Sequence, residues 1–135
     1  MAGSGLADKT GLKPKTPIVL VVEDEVLTRL TIANELRSSG LSVVEAANAD
    51  EALTVLRSSA RVDLLFTDIQ MPGSIDGLAL AELVRKTHPA LKIVIASSFS
   101  PVGPARDIPD AFFGKPYDTV KVVSKIKELL VSFEK

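Results

Sequence analysis

The chain contains no cysteine and no tryptophan. Without thiols it can form neither disulfides nor thiolate metal sites, although this alone does not fix the compartment. Aromatic residues are scarce, five Phe and one Tyr, so Val, Leu, Ile and Ala must build the core. There is no excess of basic residues: 16 Lys and Arg stand against 17 Asp and Glu, a formal net charge of −1. A nucleic-acid binder usually shows a basic face and a high isoelectric point, so that class is disfavoured. The longest purely apolar run, IVLVV, is far too short to span a membrane. The N-terminus lacks the basic start and apolar core of a signal peptide, and no internal repeat is visible. These absences leave a soluble cytoplasmic protein as the default expectation.

A chain of 135 residues with a 46% hydrophobic fraction is sufficient for one folded domain with a single sizeable core. Residues Met1 to Pro17 are rich in Gly, Pro and Lys without apolar periodicity and read as a flexible tail, leaving 18–135 as the domain. From Ile18 onward, short apolar runs alternate with helical patterns. IVLVV (Ile18–Val22), LSVVEA (Leu41–Ala46), VDLLFTD (Val62–Asp68), LKIVIAS (Leu91–Ser97) and AFFG (Ala111–Gly114) read as strands, several of them buried on both faces. Between them, Val26, Leu30, Ala33 and Leu36 mark a helix ended by Gly40. Ala52, Leu53 and Leu56 mark a second helix, with Asn48 and Glu51 as a capping pair. A third helix carries Leu78, Ala81 and Val84 behind Asp76, and a last one carries Val122, Ile126, Leu129 and Phe133 behind Asp118. Alternating strands and helices imply a parallel sheet covered on both sides. Functional groups on such sheets gather beyond the carboxyl ends of the strands.

Three of those ends carry chemistry. The first strand ends in Glu23-Asp24, the third in Asp68, and the fifth leads into Lys115-Pro116. Clustered carboxylates raise one another's pKa unless a cation compensates. All-oxygen ligation suits Mg2+, with Lys115 as a further positive charge. A carboxylate in such a place can act as a nucleophile and form an aspartyl phosphate, while metal and lysine neutralise the phosphoryl oxygens. Taken singly, each group has a bland explanation: a solvated strand end, a turn, the start of a helix. Their joint occurrence at these strand ends does not. His88, before Pro89, reads as a solvent-facing helix terminator and not as a ligand.

VLVVEDE, DLLFTDIQMPGSIDG, ASS and AFFGKPY, in that order, resemble the characteristic segments of response-regulator receiver domains, over about Ile18 to Phe133. The resemblance implies a flavodoxin-like (CheY-like) α/β fold: a doubly wound, five-stranded parallel sheet of order 2-1-3-4-5 with helices on both faces. It further implies that Asp68 is the phosphoacceptor, and that Asp24, Asp68, Glu23 (directly or through water) and the backbone carbonyl of Gln70 hold Mg2+. Lys115 would hold the phosphoryl group, Ser97 would be the switch hydroxyl and Phe112 the switch aromatic. The donor would be a histidine kinase or phosphotransfer protein. The chain would act as a monomer or weak dimer, binding neither nucleic acid nor membrane. It would be no enzyme beyond promoting its own phosphorylation and dephosphorylation. Because the sequence stops soon after the last helix, output is expected through protein contact, phosphate relay or drainage of a shared kinase.

Three departures stand out. The MPGSIDG loop is one residue longer than the commonest form. The hydroxyl is serine, with Ser98 beside it. Between Ser98 and Asp110, SFSPVGPARDIPD carries Pro101, Pro104 and Pro109, which forbid a fourth helix of normal length. The output face is therefore expected to be rebuilt around a loop that exposes Phe99 and Val102. Gln70 and Phe99 are expected to flank the path of hydrolytic water, with Phe99 hindering it. Two alternatives are an inert pseudo-receiver interaction module, which the complete Glu23/Asp24/Asp68/Lys115 set opposes, and an aspartyl-intermediate hydrolase. Hydrolases of that kind place a second acid where Gln70 stands.

Overall fold

The computed structural model describes residues 16–101 and 103–134. The tail expected over Met1–Pro17 lies outside them apart from its last two residues, as do the surroundings of Val102 and Phe133. Five strands form one sheet: β1 (Ile18–Val22), β2 (Ser42–Ala46), β3 (Leu64–Thr67), β4 (Lys92–Ser97) and β5 (Ala111–Gly114). All pairings are parallel and the order is β2-β1-β3-β4-β5. Four helices connect them: α1 (Val26–Ser38), α2 (Ala49–Arg57), α3 (Gly77–Thr87) and α4 (Thr119–Glu134). A short 3-10 helix, Gly103–Asp107, stands between β4 and β5. The expected fold is the observed one.

The apolar strands make sense as members of a two-sided sheet. Alternate residues of one strand point to opposite faces. Leu20, Val22, Leu65, Ile93 and Ile95 accordingly pack with Ala52 and Leu56 of α2 and Leu80, Ala81 and Val84 of α3. Their neighbours Val19, Val21, Leu64, Phe66, Val94 and Ala96 pack with Ile32 and Leu36 of α1 and Val122, Ile126 and Leu130 of α4. Both cores are built almost without aromatic residues, as the composition requires.

Capping chemistry sets the helix starts. Asn48 accepts from Glu51 N at 2.8 Å while Glu51 takes Ala47 N at 2.7 Å, the reciprocal pair expected from the sequence. Asp76 caps α3 through Ala79 N at 2.8 Å. Gly40, just past α1, has φ +98°, a backbone state that disfavours side chains. His88 ends α3, as expected.

The α1 stripe needs correction. Val26 and Leu30, read as inward, are exposed, and the buried positions are Ile32, Ala33 and Leu36. Apolar residues lie all around this helix, so spacing alone does not choose its inner face. The same reason moves the inner edges of α3 and α4 from Leu78 and Leu129, both half-buried, to Leu80 and Leu130.

Among its described residues, the β4–β5 crossover carries only the short 3-10 helix and no multi-turn helix, in keeping with its prolines. Arg85 of α3 ties it down instead, donating to Ile108 O at 2.7 Å and pairing with Asp110 at 2.9 Å. Asp110 in turn accepts from Ile93 N at 2.8 Å. Phe99 is 61% exposed, in line with expectation.

Candidate functional site

The sheet fixes the backbones of the candidate residues one step beyond each strand. Glu23 N donates to Ala46 O at 3.0 Å, Asp68 N to Val22 O at 3.2 Å, and Lys115 N to Ser97 O at 3.0 Å. All three therefore stand on the carboxyl rim. Lys115 starts two strands away from Asp68, roughly 10 Å across the sheet, and only a long side chain can close that gap. Its Nζ lies 2.8 Å from Asp68 Oδ2 and 2.7 Å from Glu23 Oε1.

Glu23, Asp24 and Asp68 each bring a carboxylate oxygen to within 4.8 Å of the other two. Glu23 and Asp68 are buried, whereas Asp24 is exposed. Three acids thus face one ammonium. Burial holds the Glu23 carboxyl above its ordinary pKa, and its bonds to Lys115 and to Glu25 N only partly oppose this. Burial alone would lower Lys115, but its bonds to Asp68 and Glu23 outweigh that and raise it. The lysine is a fixed cation, and it leaves the cluster net negative. Such a set of hard oxygen donors fits a hard divalent cation.

The loop after Asp68 holds its carboxylate in place. Asp68 Oδ1 accepts from Ile69 N at 2.7 Å, and Gln70 N stands 3.4 Å from the same oxygen. Gly77 N donates to Ile69 O at 2.7 Å. A Cβ on Gly77 would lie 1.6 Å from the Asp68 carbonyl oxygen, so no other residue fits there without moving Asp68. The longer loop is clasped to α2, with Ser74 Oγ donating to Asp50 at 2.6 Å. Sequence reasoning missed this clasp, because a lone Asp in a helix's first turn reads as an ordinary partner of the helix dipole.

Ser97 is buried at the end of β4, and its Oγ lies 3.4 Å from Phe99 N. Phe112 is half-buried against the core shared with α2 and α3. Gln70 is exposed. An open cleft of about 500 Å³ adjoins the cluster, lined by Leu27, Thr28, Thr31, Ser98 and the Lys115–Tyr117 segment. Tyr117 closes one side, its ring edge-on to Phe66 with centroids 6.0 Å apart. Arg29, a further contributor that sequence reasoning missed, donates from Nη1 to Glu23 O at 2.9 Å.

The response-regulator receiver domain model matches residues 19–127. The chain belongs to this family. It is 38% identical over 117 residues to the sensor kinase CckA of Brucella abortus, covering 83% of the chain. It is 30% identical over 121 residues to the DNA-binding transcriptional regulator NtrC of Salmonella typhimurium, covering 87% of the chain. The receiver spans only 12% and 25% of those two proteins, respectively. Among solved structures, the response regulator TrrA of Thermotoga maritima in complex with Mg2+-BeF superposes with a TM-score of 0.77 at 31% identity. That match covers 84% of this receiver and 99% of TrrA. Among the described residues, no helix is long and apolar enough to cross a membrane.

Proposed function

We propose that this receiver accepts a phosphoryl group on Asp68 from a phosphohistidine of a histidine kinase or phosphotransfer protein. The observation that carries the reading is the meeting of Asp68, Asp24, Glu23 and Lys115 at one rim, three acids against one cation. The Mg2+-BeF complex of TrrA supports a divalent cation in a site of this kind. Asp24, Asp68 and the Gln70 carbonyl are the ligands we assign to Mg2+, with Glu23 beside them. When bound, Mg2+ would neutralise charge on the phosphoryl oxygens.

In the transfer, an Asp68 carboxylate oxygen forms the new bond to phosphorus as the P–N bond to the donor imidazole breaks. The released imidazole keeps the bonding electron pair and takes up a proton. Lys115 stands beside the acceptor oxygen and meets the charge of roughly −1.5 to −2 that the group brings. Ile69 N and Gln70 N orient the carboxylate. Ser97 would then bond the phosphoryl group and Phe112 would repack. The two states can differ in partner binding by a coupling of about 1–3 kcal/mol.

The test is Mg2+-dependent labelling with acetyl phosphate, followed by intact mass. A single phosphoryl adduct is expected on the wild type and none on Asp68→Asn. An unlabelled wild type, or equal labelling of both, defeats the reading. The first outcome would favour the inert interaction module.

A further inference from the structure

The Glu23–Asp24 pair sits on a turn between β1 and α1, and its geometry depends on more than the two carboxylates. Glu25 N donates to Glu23 Oε2 at 3.0 Å, closing one side of the turn. On the other side, Arg29 reaches back from α1, and its Nη1 holds the Glu23 carbonyl at 2.9 Å. That carbonyl belongs to the peptide that joins Glu23 to Asp24, so the guanidinium grips the backbone carrying both acids.

Arg29 is itself aimed. Its Nε pairs with Glu45 Oε1 at 3.2 Å, while Arg37 takes the other oxygen, Oε2, at 3.1 Å. Glu45 lies on β2 in register with Val21, so the sheet anchors the far end of the chain of contacts. The Arg29 side chain is only 18% exposed, which limits its alternative conformations. A guanidinium can bond in two directions at once with fixed angles between them, which an ammonium cannot.

We infer that Arg29, oriented by Glu45, is a positioning residue for the divalent-cation site, acting on Glu23 and Asp24 through the Glu23 carbonyl. The inference rests on the proposed metal reading of the site. Outer partners of metal ligands commonly change affinity by 10–100-fold when removed, and a contact through one carbonyl belongs at the lower end of that range.

The experiment is a Mg2+ titration of the full chain followed by two-dimensional 1H–15N NMR, in wild type, Arg29→Met, Arg29→Lys and Glu45→Gln. Arg29→Met is expected to weaken Mg2+ about tenfold, and each of the other two by about threefold. The Asp24 amide nitrogen should shift in metal-free Arg29→Met, because its peptide loses a hydrogen bond, while amides of β3 and β4 hold their positions. A folded Arg29→Met that binds Mg2+ within a factor of about two of wild type overturns the role. If Arg29→Met fails to fold, Arg29→Lys decides, since it keeps the charge and loses the fork: unchanged affinity there overturns it equally. A wild type that binds no Mg2+ defeats the metal reading itself, whereas a binding wild type with an unaffected variant defeats only Arg29.

Discussion

Asp63 and Asp68 lie just beyond the two ends of β3 and are almost equally buried, 6% and 8% exposed. Their surroundings could hardly differ more. Asp63 Oδ2 accepts from Ile18 N at 2.8 Å and pairs with Arg61 at 2.9 Å, and among the described residues it joins no cluster of three acids. Its main chain continues the sheet, bonding Ile18 O and Lys92 N. Asp68 shares one lysine with Glu23 and stands against Asp24 as well. Burial therefore does not distinguish the carboxylate we propose as the phosphoacceptor; the balance of charge does. At the amino rim each of the acids Asp63 and Asp110 has its own arginine, whereas at the carboxyl rim three acids share one lysine, a surplus that suits a cation.

The contrast can be broken by removing each carboxylate in turn. Asp63→Ala leaves Ile18 N unsatisfied and Arg61 unpaired, and should lower stability by about 2 kcal/mol. Asp68→Ala relieves repulsion among three acids and leaves Lys115 to Glu23. Without divalent cation it should raise stability by about 1 kcal/mol. Urea unfolding of both variants in chelator checks the pair, with added Mg2+ expected to stabilise wild type more than Asp68→Ala. Equal losses in the two variants would show that the rims do not differ as described.

How much of this was legible beforehand follows from the same rims. Strand ends of a parallel sheet share one edge, so Glu23, Asp24, Asp68 and Lys115 could be brought together from order along the chain alone. Prolines 101, 104 and 109 announced the lost helix, because three rings spaced over nine positions cannot all fall in the first turn, and in a helix interior each removes a hydrogen bond and clashes; Pro104 is accommodated in the short 3-10 turn. What stayed hidden depended on rotation and reach. The inner face of α1 could not be chosen, because Val26, Leu27, Leu30, Ile32 and Leu36 surround its axis. That error concealed Arg29, whose contact with the Glu23 carbonyl exists only in the rotation the helix adopts. Arg85 was hidden for a related reason: its partner Asp110 is 25 positions away, and a lone arginine late in a helix reads as a companion of the helix dipole.

The smallest expected effect sharpens the comparison within the carboxyl rim itself. Phe99 follows the Ser97–Ser98 pair; Ser98 lines the cleft beside Lys115, and Phe99 N approaches Ser97 Oγ. The residue is 61% exposed, so it contributes little burial, and Phe99→Ala should change stability by less than about 0.5 kcal/mol. Placed directly after Ser98, which lines the cleft, the side chain could still screen the approach of water to phosphorus opposite the Asp68 oxygen. The aspartyl phosphate of Phe99→Ala should therefore decay about threefold faster, a barrier change of only about 0.7 kcal/mol. Time courses of the intact-mass adduct, after removal of acetyl phosphate, measure it. An unaltered half-life would mean that Phe99 does not shield the phosphoryl group, and that control of hydrolysis lies with groups nearer the acceptor, Gln70 first among them.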